Sequence, residues 1–106
     1  MKLRGVWAEL KAVRWLNGHG LRVLKTRYRA RGGEIDVIAR ENGALVFIEV
    51  KSASRAGEGA LRVNAQKRRR LKTAANAYLN ETGETSCRFD ILEESDAGFR
   101  LIRNAF

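Results

Sequence analysis

Two runs of β-branched and apolar residues, Glu34 to Arg40 and Leu45 to Lys51, flank Glu41-Asn42-Gly43-Ala44. Asn-Gly between such runs is the strongest short-range signal for a tight antiparallel hairpin. With Asn42-Gly43 as the two-residue turn, Glu41 pairs with Ala44, and counting outward sets Ile38 opposite Phe47, Asp36 opposite Glu49 and Glu34 opposite Lys51. Strand side chains alternate. One face therefore carries Ile35, Val37, Ala39, Val46, Ile48 and Val50, and the other Glu34, Asp36, Ile38, Arg40, Leu45, Phe47, Glu49 and Lys51. The first face is wholly apolar and belongs in the core.

The second face is apolar near the turn and charged at the far end. Directly opposed side chains lie only about 4.5–5.5 Å apart at Cβ, and like charges there are destabilising. Folding gains nothing from Asp36 facing Glu49. A divalent cation held between them removes the conflict, since Mg²⁺ is typically bound by one or two carboxylates, waters and substrate phosphate oxygens. Lys51, two residues after Glu49 on the same face, would then reach the scissile phosphate or the attacking water. The plainer alternative is a solvated charged face with a Glu34-Lys51 ion pair. Ile38, Leu45 and Phe47 weigh against it, because they imply that this face is largely covered.

The chain has 106 residues, enough for a single domain with one core spanning 1–106. Its 21 Lys and Arg outnumber 12 Asp and Glu, for a net charge of +9, which calls for a polyanionic partner and salt-sensitive attachment to phosphates. No stretch approaches the length of a membrane span, and the N-terminus lacks the apolar core of a signal peptide. A cytoplasmic location and no membrane partner are expected. The single Cys87 excludes an internal disulfide, and with one histidine, His19 in a Gly-His-Gly turn, there is neither a zinc cluster nor a nucleophile-histidine pair. Cys87 is expected to pack in a strand. Metal chemistry with oxygen ligands is what remains.

Helical spacing runs from Leu3 to Asn17 through Leu3, Val6, Trp7, Leu10, Val13 and Leu16, and Gly18 and Gly20 stop it. Glu9 falls on this inward stripe. It either snorkels or pairs with a base such as Lys2 or Arg14, or it delivers a third carboxylate to Asp36 and Glu49. Leu21 to Tyr28 reads as the first strand, leading through Arg27, Arg29 and Arg31 into Gly32-Gly33; these arginines are candidate phosphate contacts or simply an exposed basic loop. Ser52 to Gly59 is small and polar, a mobile loop with Arg55 at its tip.

Asn64 to Asn80 is the second helix, with Asn64 as N-cap, Thr82-Gly83 as its end, and Leu71, Ala74, Ala75 and Tyr78 inward. Lys67, Arg68, Arg69, Arg70 and Lys72 crowd its start. Like charges at that density repel one another, and a phosphate backbone is their natural counter-charge. Cys87 to Leu92 and Gly98 to Ile102 are two more strands, joined by the acidic turn Glu93-Glu94-Ser95-Asp96. The order is α-β-β-β-α-β-β, an α/β (α+β) fold with a mixed sheet.

A helix with an inward Glu, a three-strand meander carrying Asp36 and then Glu49-Val50-Lys51, and a following helix and strand resemble the PD-(D/E)xK restriction-endonuclease-like nucleases. GGEIDVIAR, FIEVKSAS, Lys67 among its bases, AANAYL, RFDIL and the terminal NAF are similar to the YraN-like family of predicted endonucleases, related in pattern to Holliday-junction resolvases. The resemblance covers essentially the whole chain. It implies an αβββαβ core with an extra C-terminal strand. Asp36, Glu49, Lys51 and Glu9 would be catalytic, and Asp36, Glu49 and the Val50 carbonyl would hold Mg²⁺ or Mn²⁺. Lys67 would be an additional polar residue of the site. Ile35 stands where the usual motif has proline, and Arg68 where relatives often have glutamine.

The expected function is a metal-dependent endonuclease acting on DNA, branched or single-stranded, with Arg29, Arg31, Arg55 and Lys67 to Arg70 along the nucleic acid. Resolvase relatives act as dimers, so the resemblance implies a homodimer. The alternative is a catalytically silent nucleic-acid-binding or adaptor domain that keeps the fold and the basic surface.

Overall fold

The computed structural model describes the backbone of residues 3–61 and 63–106, and the side chains of residues 7–59 and 63–106. The elements are α1 (Leu3–Gly18), β1 (Arg22–Ala30), β2 (Gly33–Glu41), β3 (Ala44–Ser52), α2 (Glu58–Leu61), α3 (Ala65–Thr82), β4 (Arg88–Ser95) and β5 (Gly98–Ile102). They form one five-stranded sheet in the order β1-β2-β3-β4-β5. Every neighbouring pair is antiparallel except β3 and β4. That parallel pair requires a crossover, and α3 supplies it. The mixed α/β fold read from the sequence is the observed one, with the short α2 added in the segment expected to be a loop.

The hairpin forms as its turn chemistry dictates. Asn42 and Gly43 both have positive φ, 50° and 85°, the requirement of the mirror-image turn that matches strand twist. Its ladder runs from Glu41–Ala44 to Val37–Ile48 in the expected register. Val37, Ala39, Val46 and Ile48 pack with Ala12, Leu16, Leu21 and Leu92 beneath α1. Ile38, Leu45 and Phe47 pack with Leu71, Ala74, Ala75 and Tyr78 beneath α3. Both faces of the sheet are thus covered.

Three expectations are corrected. Ile35 packs with Tyr28, Ile38 and Phe47 on the α3 side, not with Val37. Arg27 adopts a left-handed backbone (φ 52°) between the pairs Thr26–Val37 and Tyr28–Ile35, so the alternation of side chains is interrupted beside Asp36. The inward stripe of α1 is also rotated: Trp7 and Leu10 are 60% and 50% exposed, whereas Ala12 and Leu16 are fully buried. Alanine lets the helix axis approach the sheet more closely than bulky residues would, and the helix turns its small face inward. Leu3 and Val6 of the expected stripe, and Lys2 as a partner for Glu9, lie outside the described side chains. Finally, Cys87 is exposed and immediately precedes β4.

α3 behaves as its sequence predicts. The Asn64 side chain accepts the Lys67 N–H at 3.0 Å, and Gly83, at φ 75°, closes the C-terminus by donating to the Leu79 carbonyl. Leu71, Ala74, Ala75 and Tyr78 are its buried residues. The helix lies so close to β2 that a Cβ on Gly33 would stand 2.0 Å from the Arg70 carbonyl oxygen. Only glycine permits that approach.

The C-terminal NAF is folded back onto the sheet. Phe106 stacks on Phe89 at 5.6 Å between ring centroids, the Ala105 N–H donates to the Phe89 carbonyl, and Asn104 N–H donates to Asp90. Asp90 is fully buried and also receives Arg88, which reaches Glu41 at 2.6 Å; Arg103 holds the other oxygen of Glu41 at 2.5 Å. This paired network ties the hairpin tip, β4 and the C-terminus together.

Candidate active site

The site lies where β2 and β3 part. Their ladder stops at Val37–Ile48, so Asp36 does not face Glu49 across a continued ladder. Instead Asp36 Oδ2 accepts the Val50 N–H at 2.8 Å. The side chain takes the place of a backbone partner, and the two strands separate around it. The Asp36 carboxyl remains hydrogen-bonded to that of Glu49.

Burial, first, and then that bond and the charge of Asp36 push the Glu49 carboxyl up to about 8, against the opposing pull of Lys51 and Lys67. Two carboxyls in contact cannot both ionise cheaply, so the Glu49 carboxyl keeps its proton near neutral pH. A cation would take that proton's place. Lys51 is pulled below its ordinary lysine range by burial and by the adjacent Lys67 ammonium, while Glu49 and Asp36 act in the opposite direction. Asp36, Glu49, Lys51 and Lys67 therefore form one electrostatic cluster, contributed by β2, β3 and α3.

A cleft opens on each side of this cluster. Toward α3 it is lined by Glu34, Glu49, Lys67, Arg70 and Leu71. Toward α1 a cavity of about 270 Å³ is lined by Glu9, Ala12, Arg27, Asp36, Val50 and Ser52, among others. Glu9 thus shares a cavity with Asp36, in an ion pair with Arg27. Arg27, read from the sequence as a phosphate contact or part of an exposed basic loop, instead pairs with Glu9, and nothing in the sequence marks its left-handed backbone. Among the described residues no three acidic, histidine or cysteine side chains converge as a metal cluster. The donors in place are the two carboxylates with the Val50 main chain beside them, a set that suits a hard cation completing its shell with water and phosphate oxygens.

The Glu34–Lys51 ion pair of the plainer alternative is not formed; Glu34 instead lies 3.6 Å from Arg29. Arg29, Arg31, Arg55, Arg69 and Arg70 are exposed, and Arg70 joins Lys67 in the α3-side cleft. Arg68 is occupied differently. Its Nε donates to the Val63 carbonyl at 3.2 Å and its guanidinium covers the Phe106 ring at 5.1 Å, so it helps hold the C-terminus. Glu93, read as part of an acidic turn, is a fully buried residue of β4. It accepts the N–H groups of Gly57 and Gly59 at 2.7 and 2.9 Å.

Residues 8–93 match a family described as "Uncharacterised protein family UPF0102". The chain is 42% identical over 110 residues to a UPF0102 protein of Lachnoclostridium phytofermentans, covering 99% of this chain and 93% of that one. It is 42% identical over 105 residues to a UPF0102 protein of Dechloromonas aromatica, covering 97% and 88%. A UPF0102 protein of Pseudothermotoga lettingae is 43% identical over 93 residues, covering 86% and 87%. These matches agree with the YraN-like resemblance, and their names specify no activity.

Proposed function

For this chain, which belongs to the uncharacterised protein family UPF0102, we propose the function of a metal-dependent endonuclease that hydrolyses phosphodiester bonds in DNA, selecting branched or single-stranded substrates. One observation carries the reading: Asp36, Glu49 and Lys51 meet at the separation of β2 and β3, beside Lys67, two carboxyls and two ammonium groups in one cleft-lined cluster. Such a constellation costs folding energy and is repaid only by a ligand. Asp36 and Glu49, with the Val50 carbonyl, would hold Mg²⁺ or Mn²⁺. When bound, that cation would supply charge to offset the negative charge developing on the phosphoryl oxygens and would lower the pKa of a water.

The chain's own groups do the rest. Lys51 and Lys67 present ammonium groups to the phosphate oxygens, and Arg70 extends the same positive surface along α3. Asp36 is fixed by the Val50 N–H, so its carboxyl is held beside Glu49 without searching rotamers. Glu9, held by Arg27, places a further carboxylate on the opposite wall. The net charge of +9 attracts the polyanion without regard to sequence.

The test is cleavage of labelled single-stranded, duplex, flap and four-way-junction DNA with Mg²⁺, Mn²⁺ or EDTA. Cutting that needs the metal and is lost in Asp36→Asn, with DNA binding retained, supports the reading. Undiminished cutting by Asp36→Asn ends it. Binding without cutting on every substrate would transfer the assignment to a silent nucleic-acid-binding domain.

A further inference from the structure

The Ser52–Gly59 segment, expected to be mobile, is tied down at several points. The Ala53 N–H donates to the Glu94 carbonyl at 2.8 Å, extending the β3–β4 contact one step past the strand. Further on, Glu93 Oε1 accepts the Gly57 N–H and Oε2 the Gly59 N–H, with Arg100 of β5 3.6 Å from Oε1. A fully buried carboxylate is costly unless its oxygens are hydrogen-bonded or paired. Here both are, and the partners are main-chain amides of the loop and of the first turn of α2.

The same carboxylate is next to the lysine of the site. Glu93 and Lys51 are register partners on parallel neighbouring strands, so both side chains leave the sheet on the same side. Gly59 rests across the two. A Cβ built there would stand 3.1 Å from Glu93 Cγ and Oε2 and 3.2 Å from Lys51 Cβ. Gly57, at φ 94°, adopts a backbone that other residues avoid while its N–H donates to Glu93.

We infer that Glu93 is a positioning residue: it latches the segment ending at Gly59 over the stem of Lys51 and so fixes where the lysine ammonium stands. Its catalytic consequence rests on the nuclease reading, whereas the latch itself does not. Glu93→Gln is isosteric but replaces one acceptor oxygen by a donor, leaving one glycine N–H without its partner. Gly59→Ala loosens the same contact from the other side.

In both variants trypsin should cut after Arg55, and the main-chain amides at positions 57 and 59 should exchange, roughly tenfold faster than in wild type, the scale expected when a charge-assisted hydrogen bond is removed. The Lys51 ε-methylene resonance should shift. Single-turnover cleavage at saturating DNA should slow about 10- to 100-fold, the cost of a misplaced group, with the Kd for DNA unchanged. Wild-type proteolysis and exchange would overturn the latch. A loosened segment with an unmoved Lys51 resonance, with wild-type cleavage, or with cleavage and binding reduced in equal measure, would overturn the positioning role. If the wild-type protein cuts nothing, the nuclease reading fails alone, and the amide and Lys51 resonances still decide for or against Glu93.

Discussion

At the scale of single residues, stability and chemistry separate cleanly. Leu16 is fully buried beneath the sheet, whereas Trp7, one of the largest side chains in the chain, is 60% exposed. Leu16→Ala should cost about 2–5 kcal/mol, and Trp7→Ala should stay within about 0.5 kcal/mol, measured by denaturant unfolding. Their order would be reversed if Trp7 lay on the buried face. Glu41 gives the pH dependence. Its bonds to Arg103, then Arg88, hold its carboxyl down from 4.5 to about 2 against the effect of burial. A depressed acid stabilises the fold above its unfolded pKa, and that contribution disappears as pH falls from about 4.5 through about 2. Glu41→Gln should therefore be less stable than wild type at pH 7 and show a shallower further decline on acidification. Parallel acid-unfolding curves for the two proteins would refute this.

At the scale of elements, the contact of α3 with β2 decides how close Lys67 stands to Glu49. Gly33 is the point of contact, and an added methyl would meet main-chain atoms of Arg70 and Ala74, which cannot rotate away. Gly33→Ala should cost at least about 1–3 kcal/mol by overpacking and lift α3 from the sheet. Melting temperature checks the first effect. The second would appear as a change in the Lys67 and Glu49 resonances, and a variant with wild-type melting and spectra would mean that α3 is free to shift. The hairpin was readable to the residue from Asn42-Gly43, because a two-residue turn leaves one register. Its far end was not, because the Asp36 side chain replaces a ladder bond there.

At the scale of the whole molecule, positive charge and a narrow acidic site combine. Twenty-one basic residues against 12 acidic ones give an excess that is spread over the chain, and several acids are already engaged in internal pairs, Glu41 with Arg88 and Arg103, Glu84 with Arg40. Binding to DNA should weaken steeply with salt. Replacing Arg69 and Arg70 by alanine should flatten the slope of log K against log salt by about 0.7–0.9 for each phosphate no longer neutralised, read by anisotropy in EDTA. Arg68→Ala should change that slope less and lower stability more, because Arg68 is engaged with Val63 and Phe106. Equal slopes for the Arg68 and Arg70 variants would contradict the division. Among the described residues no helix is long and apolar enough to cross a membrane.

The sequence by itself determined the order of the strands and the two long helices, the hairpin register next to its turn, the caps and buried stripe of α3, and the nearness of Asp36 to Glu49-x-Lys51 as the place of unusual charge. These depend on spacing and turn chemistry within a few residues, and such local rules are written in the chain. The tertiary structure alone decided which side of α1 faces inward, since small residues gain from close approach to a sheet that periodicity does not weigh. It decided that Ile35 crosses to the α3 side, through a backbone irregularity shared between two strands. It also decided that Glu93 is buried beside Lys51, because an acidic run near a turn looks the same whether water or two glycine amides satisfy its oxygens.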